Sequence, residues 1–123
     1  MISGIGTDLI EIERVKKACQ KEHFLRKYYT EKEIEAFENK YTALAGNFAV
    51  KEAVAKSFGT GFSGLMPGDI EVLRDENGKP YVNLYGGAKK TADENGIGNI
   101  YVSISNTAEY AQAFAVSEKK PSH

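Results

Sequence analysis

The stretch YTALAGNFAVKEAVAKSFGTG, residues 41–61, decides how this chain folds. Its apolar residues recur at helical spacing as far as Phe58, where Gly59-Thr60-Gly61 stops the helix. At 100° per residue, Tyr41, Leu44, Ala45, Phe48, Glu52, Ala55 and Lys56 fall on one side. Val50, Val54 and Phe58 make a second apolar stripe on the other. A helix apolar on two sides sits inside a domain rather than on its surface. The remaining elements are therefore expected to wrap around it.

Upstream, Thr30-Glu31-Lys32-Glu33 has the pattern of a capping box, with Thr30 capping the first turn and Glu33 reaching back. A short helix through Ile34 and Phe37 follows from it. Before that, Ile12, Val15, Cys19 and Leu25 keep helical spacing from about Leu9, and Met1 to Gly6 alternates like an opening strand. Downstream, Gly59 to Gly68 is a glycine-rich loop containing Pro67. Asp69 to Arg74 then alternates with period two, Asn77-Gly78 signals a hairpin turn, and Tyr81 to Leu84 is the return strand. A short helix is expected from Ala88 to Asn95, ended by Gly96. Two more strands, Tyr101 to Ser105 and Tyr110 to Val116, flank a turn near Asn106-Thr107. Helices first and antiparallel strands afterwards argue an α+β fold, an antiparallel sheet packed against a long central helix. Residues 1–118 make one domain, and 119–123 read as a disordered tail.

Composition removes several classes of function. The 123 residues leave room for one core. Net charge is −1, so the molecule as a whole is no electrostatic binder of nucleic acid. One cysteine, Cys19, excludes an internal disulfide and a cysteine-based zinc site, and reads as a small apolar side chain on a helix. His23 and His123 read as surface residues. No apolar run approaches the roughly 20 residues of a membrane helix. Met1-Ile2-Ser3-Gly4 has neither the basic nor the apolar region of a signal peptide. A cytoplasmic protein with no membrane partner is the expectation. Charge is nevertheless uneven: Arg14, Lys16, Lys17, Lys21, Arg26 and Lys27 make the first helical region basic.

Three side chains invite chemistry. Asp8 follows Gly4-Ile5-Gly6-Thr7, where the opening strand is expected to become a helix. Capping that helix is its plain structural reading, but two glycines before an acid also let the backbone turn tightly and a ligand approach. Glu52 and Lys56 lie on the line of an apolar stripe. An exposed i, i+4 pair contributes only about 0.2–0.5 kcal/mol, whereas burying two charges costs several kcal/mol per ion unless geometry repays it. A cleft wall facing a metal or phosphate resolves that conflict. Gly59-Thr60-Gly61-Phe62-Ser63-Gly64 offers backbone N–H groups to a phosphate, or is only a helix stop; it lacks P-loop spacing and follows its helix. Both readings stay open. Two acids and a lysine suit a Mg²⁺-bound pyrophosphate, since Mg²⁺ takes one or two carboxylates and completes its shell with phosphates and water.

Three stretches together are more specific: Gly4-Ile5-Gly6-Thr7-Asp8, then Phe48-Ala49-Val50-Lys51-Glu52-Ala53-Val54-Ala55-Lys56-Ser57-Phe58-Gly59-Thr60-Gly61, and Val102-Ser103-Ile104-Ser105. With Asp69-Ile70-Glu71-Val72 and Asn77-Gly78-Lys79-Pro80 in the same order, the chain resembles the holo-acyl-carrier-protein synthase family, the short phosphopantetheinyl transferases, over residues 1 to about 118. The resemblance implies transfer of 4′-phosphopantetheine from coenzyme A to a serine of an acyl carrier protein, releasing 3′,5′-ADP. It implies Asp8 and Glu52 as Mg²⁺ ligands. Glu52, or a metal-bound water it orients, is then the base, and Lys56 contacts a phosphate and steadies the leaving group. Gly59, Thr60 and Gly61 would lie beside the nucleotide of coenzyme A, as would Ser105, Asn106 and Thr107. A homotrimer with sites between neighbouring subunits is implied, in the cytoplasm and in the service of fatty-acid synthesis. The carrier would dock on Arg14, Lys21, Phe24, Arg26 and Lys27.

One departure stands out: the family usually has histidine after Ser-x-Ser, and this chain has Asn106, which carries no charge and shuttles no proton. The alternative reading is therefore a catalytically impaired module that binds coenzyme A or carrier protein. A purely structural, oligomer-forming protein is the third reading, and it leaves Glu52 on an apolar stripe without a reason.

Overall fold

The computed structural model describes residues 1–62 and 64–121. Its elements run β1 (Ile2–Glu11), α1 (Ile12–Cys19), α2 (Glu22–Tyr28), α3 (Glu31–Phe37), α4 (Tyr41–Ser57), β2 (Ile70–Arg74), β3 (Pro80–Leu84), α5 (Gly86–Glu94), β4 (Ile97–Asn106) and β5 (Tyr110–Lys119). The fold is α+β with α4 at its centre. Eleven of the 17 residues of α4 are buried. The strands form two antiparallel sheets rather than one: β1-β5-β4, and the hairpin β2-β3. The core lies between α4, the inner face of the larger sheet, the hairpin and α5.

The larger sheet lies very close to α4 because small residues face it. Ala111, Ala113, Ala115 and Ser117 of β5 are all buried. The Ser57 hydroxyl donates to Val54 O at 2.7 Å, and the Ser117 hydroxyl oxygen lies 2.6 Å from that of Ser57. Strand β1 comes closer still. A Cβ on Gly4 would stand 1.9 Å from the Ser57 carbonyl oxygen, and one on Gly6 1.8 Å from that of Ala53. These glycines therefore permit backbone-to-backbone packing of β1 on α4; they neither turn the chain nor open it to a ligand.

Several boundaries differ from the sequence expectations. β1 runs on to Glu11 instead of ending at Gly6, because β5 pairs with it through Glu11↔Tyr110. Ladder pairing overrides the helical apolar spacing that begins near Leu9, and Leu9 points outward. The first helical region is two helices, broken where Lys21 takes an extended backbone. The break lets Phe24, Leu25 and Tyr28 pack into a satellite cluster with Tyr29 and Phe48. The capping box is present: Glu33 N donates to Thr30 Oγ1 at 3.3 Å and Thr30 N to Glu33 Oε1 at 3.1 Å. β5 extends through Lys119, and Lys120 N donates to Gly96 O at 2.8 Å. Of the expected tail 119–123, Ser122 and His123 lie outside the described residues.

The closeness of β1 and α4 is open to a direct check. Gly6→Ala should lower stability by about 1–3 kcal/mol or more through overpacking, seen as a fall in the urea midpoint. Wild-type stability would contradict the contact.

Candidate active site

Alternation along β1 turns Gly6, Asp8 and Ile10 toward α4 and leaves Ile5, Thr7 and Leu9 on the outer face. Asp8 is thus a mid-strand residue; the residue before α1 is Glu11, which makes no side-chain cap. The capping role read from the sequence falls away. With Gly6 pressed on Ala53, Asp8 comes within reach of the next turns of α4. Lys56 Nζ donates to Asp8 Oδ1 at 3.2 Å and to Thr7 O at 3.0 Å. The Asp8 side chain is 17% exposed and that of Lys56 50%. Glu52 stands one turn before Lys56, half-buried. Burial pushes its carboxyl above the usual carboxylate range, the charge of Asp8 pushes the same way, and Lys56 opposes both. Asp8, Glu52 and Lys56 therefore form one cluster.

That cluster suits a hard divalent cation. Two partly buried carboxylates repel each other with a single lysine to offset them, and a cation is the ligand that relieves the repulsion. Among the described residues, no three His, Cys, Asp or Glu side chains group to hold a metal unaided. Asp8 and Glu52 are thus an incomplete donor set of the kind that Mg²⁺ completes with substrate phosphates and water.

The buried charge of α4 is not the one its apolar stripe suggested. Lys56 is half exposed, and it is Lys51 that is buried, paired to Glu33 at 2.7 Å. Reading the wheel by its apolar residues missed this pair; Glu33 stood out only as a capping residue.

The Gly59–Gly61 loop leaves the same end of α4 that carries Lys56. Gly59 N donates to Lys56 O at 3.0 Å, and Gly59 and Gly61 adopt φ of +80° and +59°. This is the carbonyl end of the helix dipole, so charge for a phosphate comes from Lys56 rather than from the helix. Ser63 lies outside the described residues.

Ser105, Asn106 and Thr107 are exposed at the end of β4. The Thr107 hydroxyl accepts from Glu109 N and Tyr110 N, at 3.2 and 3.0 Å, and so shapes the turn into β5. Asn106 lines a cleft of about 590 Å³ with Lys40, Tyr41, Arg74, Gly78 and Pro80. Arg74 lies 5.0 Å above the Phe37 ring, and its buried Nη1 has no hydrogen-bond partner among the described residues. Lys40 and Arg74 were not legible as a pair, being 34 positions apart on different elements. The cleft sits at the N-terminal end of α4. Tyr41 and Glu52 are separated by a rise of about 16 Å, so one chain does not merge this cleft with the acid cluster.

Arg14, Lys21, Arg26 and Lys27 are all exposed on α1, α2 and the link between them. Arg26 bonds Glu22 at 2.7 Å with both side chains in water, a contact worth little. Phe24 is half-buried, stacked on Tyr28 at 4.3 Å and facing Phe48 at 6.4 Å. It is tied into the satellite core and only partly free for a partner. Cys19 is buried on α1, as expected, and burial raises its thiol pKa. No helix among the described residues is long and apolar enough to cross a membrane.

Known proteins resemble this chain over nearly its whole length. The family profile of the 4′-phosphopantetheinyl transferase superfamily, ACPS, matches residues 4–115. A holo-acyl-carrier-protein synthase of Lachnoclostridium phytofermentans is 55% identical over 118 residues, covering 96% of this chain and 97% of that protein. An acyl carrier protein synthase of Plasmodium yoelii, solved with ADP bound, superposes with a TM-score of 0.87 at 40% identity, covering 98% of both chains. The Helicobacter pylori holo-acyl-carrier-protein synthase, solved with coenzyme A, gives 0.83 at 31% identity, covering 93% of this chain and 99% of that one.

The raised Glu52 carboxyl gives a pH prediction for metal-free protein. The native state holds a proton that the unfolded chain has lost between the ordinary carboxylate value and the higher native one. Stability contributed by that proton is present at low pH and falls as pH rises through this window. Glu52→Gln should therefore raise Tm relative to wild type near neutral pH, with the gain vanishing at pH 4, as read by calorimetry. An equal difference at both pH values would refute the raised carboxyl of Glu52.

Proposed function

This chain belongs to the 4′-phosphopantetheinyl transferase superfamily as a holo-acyl-carrier-protein synthase, and we propose that it moves 4′-phosphopantetheine from coenzyme A to a serine of apo-acyl carrier protein, with Mg²⁺, releasing 3′,5′-ADP. The observation that carries this reading is the meeting of Asp8, Glu52 and Lys56 across β1 and α4. Coenzyme A and ADP in the solved relatives support coenzyme A as the co-substrate.

Asp8 and Glu52 would hold Mg²⁺, which when bound neutralises charge on the pyrophosphate. Lys56 exchanges its contact with Asp8 for a phosphate oxygen and balances charge on the departing nucleotide. The serine oxygen bonds to the β-phosphorus, and the bond from that phosphorus to the bridging oxygen breaks. Its electron pair leaves with 3′,5′-ADP. The serine proton passes to Glu52, the partly buried carboxylate of the cluster. The cleft at Asn106 takes the nucleotide, with Lys40 and Arg74 supplying the positive charge that asparagine lacks. The Gly59–Gly61 loop completes the phosphate side near Lys56.

The exposed basic residues Arg14, Lys21, Arg26 and Lys27 suit an acidic carrier, and the free edge of Phe24 adds an apolar contact. A homotrimer is part of the proposal. Ile5, Leu9, Tyr101, Tyr110 and Phe114 are exposed on the face of the larger sheet turned away from α4, and apolar patches of that kind mark interfaces. A site shared between neighbouring subunits also reconciles the separation of the Asn106 cleft from the acid cluster. Both co-substrates are soluble, so the cytoplasm is the proposed setting.

Incubation with apo-carrier protein, coenzyme A and Mg²⁺ should add the mass of phosphopantetheine to the carrier. Glu52→Gln and Lys56→Met should each slow this by about 10²–10³-fold. Asn106→His should change the rate only a few-fold. No mass gain at high enzyme with several carriers overturns the proposal. Activity that emerges only in Asn106→His identifies a coenzyme A-binding module instead.

A further inference from the structure

Lys51, one residue before Glu52, is buried and bonded through its whole ammonium group. Its ammonium donates to Glu33 Oε1 at 2.7 Å, to Pro67 O at 3.2 Å and to Ile70 O, so each of its three protons has an acceptor. Glu33 is equally satisfied: Oε1 also accepts from Thr30 N, and Oε2 accepts from Asn47 Nδ2 at 2.9 Å. Asn47, one turn earlier on α4, donates as well to Val72 O at 2.9 Å. Thr30 passes the connection on to Glu71 at 2.6 Å, and Glu71 accepts from Asn83 and Tyr85 of the hairpin side. One face of α4 is thereby bonded to α3, to segment 67–70 and to β2.

Stability alone does not call for this arrangement. A fully buried ion pair can usually be replaced by apolar side chains of similar volume without loss of stability. What apolar packing does not supply is direction. Here direction is consequential, because Lys51 and Glu52 are neighbours 100° apart on one helix. With Lys51 held by three acceptors on one side, Glu52 is turned toward β1 and Asp8. A rotation of α4 by 10° would move a carboxylate some 6 Å from the axis by about 1 Å, and displacement of that size costs about 10²-fold in rate.

We infer that Lys51 and Glu33 are positioning residues: the buried pair fixes the rotation of α4 about its own axis and so aims Glu52 at the cation site it shares with Asp8. This rests on the proposed role of Asp8 and Glu52 as a metal pair.

The test variant is Glu33→Gln/Lys51→Met, which removes both charges and keeps the volumes. Folding is checked by calorimetry, and Mn²⁺ affinity in the presence of coenzyme A is read by electron paramagnetic resonance. Carrier loading supplies kcat and KM. The double variant should fold with a Tm close to wild type, bind Mn²⁺ about tenfold more weakly and lose about 10–100-fold in kcat, with KM for coenzyme A unchanged. A merely structural pair predicts wild-type Mn²⁺ affinity and kcat in the folded double variant, and that result overturns the inference. Should the double variant not fold, Glu33→Gln alone, isosteric and keeping one oxygen as acceptor for Lys51 and Thr30 while losing the acceptor for Asn47, is measured in the same way: weakened Mn²⁺ binding and kcat support the inference, and wild-type values overturn it. Glu52→Gln separates the two layers. If it binds Mn²⁺ like wild type, the metal reading fails and the inference with it. If it is impaired while the double variant is not, only the positioning role fails.

Discussion

Everything in this molecule depends on how closely one strand lies on one helix. Where β1 crosses α4, the space between their backbones is too small for a methyl group, and Gly4 and Gly6 are what make the crossing possible. The alanines of β5 and the Ser57–Ser117 hydroxyl pair keep the rest of the sheet at the same height. Two residues beyond the tightest point, the strand presents Asp8; on the helix, Glu52 and Lys56 lie on either side of Ala53, the residue that Gly6 meets. An acid on a strand and an acid on a helix thus meet without any loop intervening. Rigid elements hold them, as a site for a small cation requires.

The charges of α4 divide by side. Toward β1 they are partly hydrated and crowded, with Glu52 raised and Lys56 reaching across to Asp8. Toward α3 and the hairpin, Lys51 and Asn47 are dry, and the Lys51 ammonium and the Asn47 amide nitrogen are both bonded. The first side is chemically available; the second is locked. One helix therefore serves as core and clamp and, in the proposed function, as the wall of the active site, which explains why its sequence carries charge among so many alanines and valines.

Much of this was legible. The capping box at Thr30–Glu33, the long helix to Phe58 and the hairpin about Asn77-Gly78 each carry a local signal strong enough to survive tertiary packing. The extent of β1 was not, because its outer half is set by pairing with β5, about a hundred positions away. The glycines before Asp8 were visible as a motif, but their reason lay in a helix they had yet to meet. Glu52 and Lys56 were found through a conflict between charge and apolar pattern, although the deeper conflict belonged to Lys51, whose partner sits on a different helix. Arg74 and Lys40 share a cleft that no spacing in the chain announces.

The central claim is that the carboxylates of Asp8 and Glu52 share one divalent cation. Anomalous diffraction at the manganese edge, from crystals grown with Mn²⁺ and coenzyme A, addresses it most directly. The account requires a single peak coordinated by both carboxylates and by a phosphate oxygen of the ligand. A cation bound by one of them alone, or elsewhere on the protein, would contradict it.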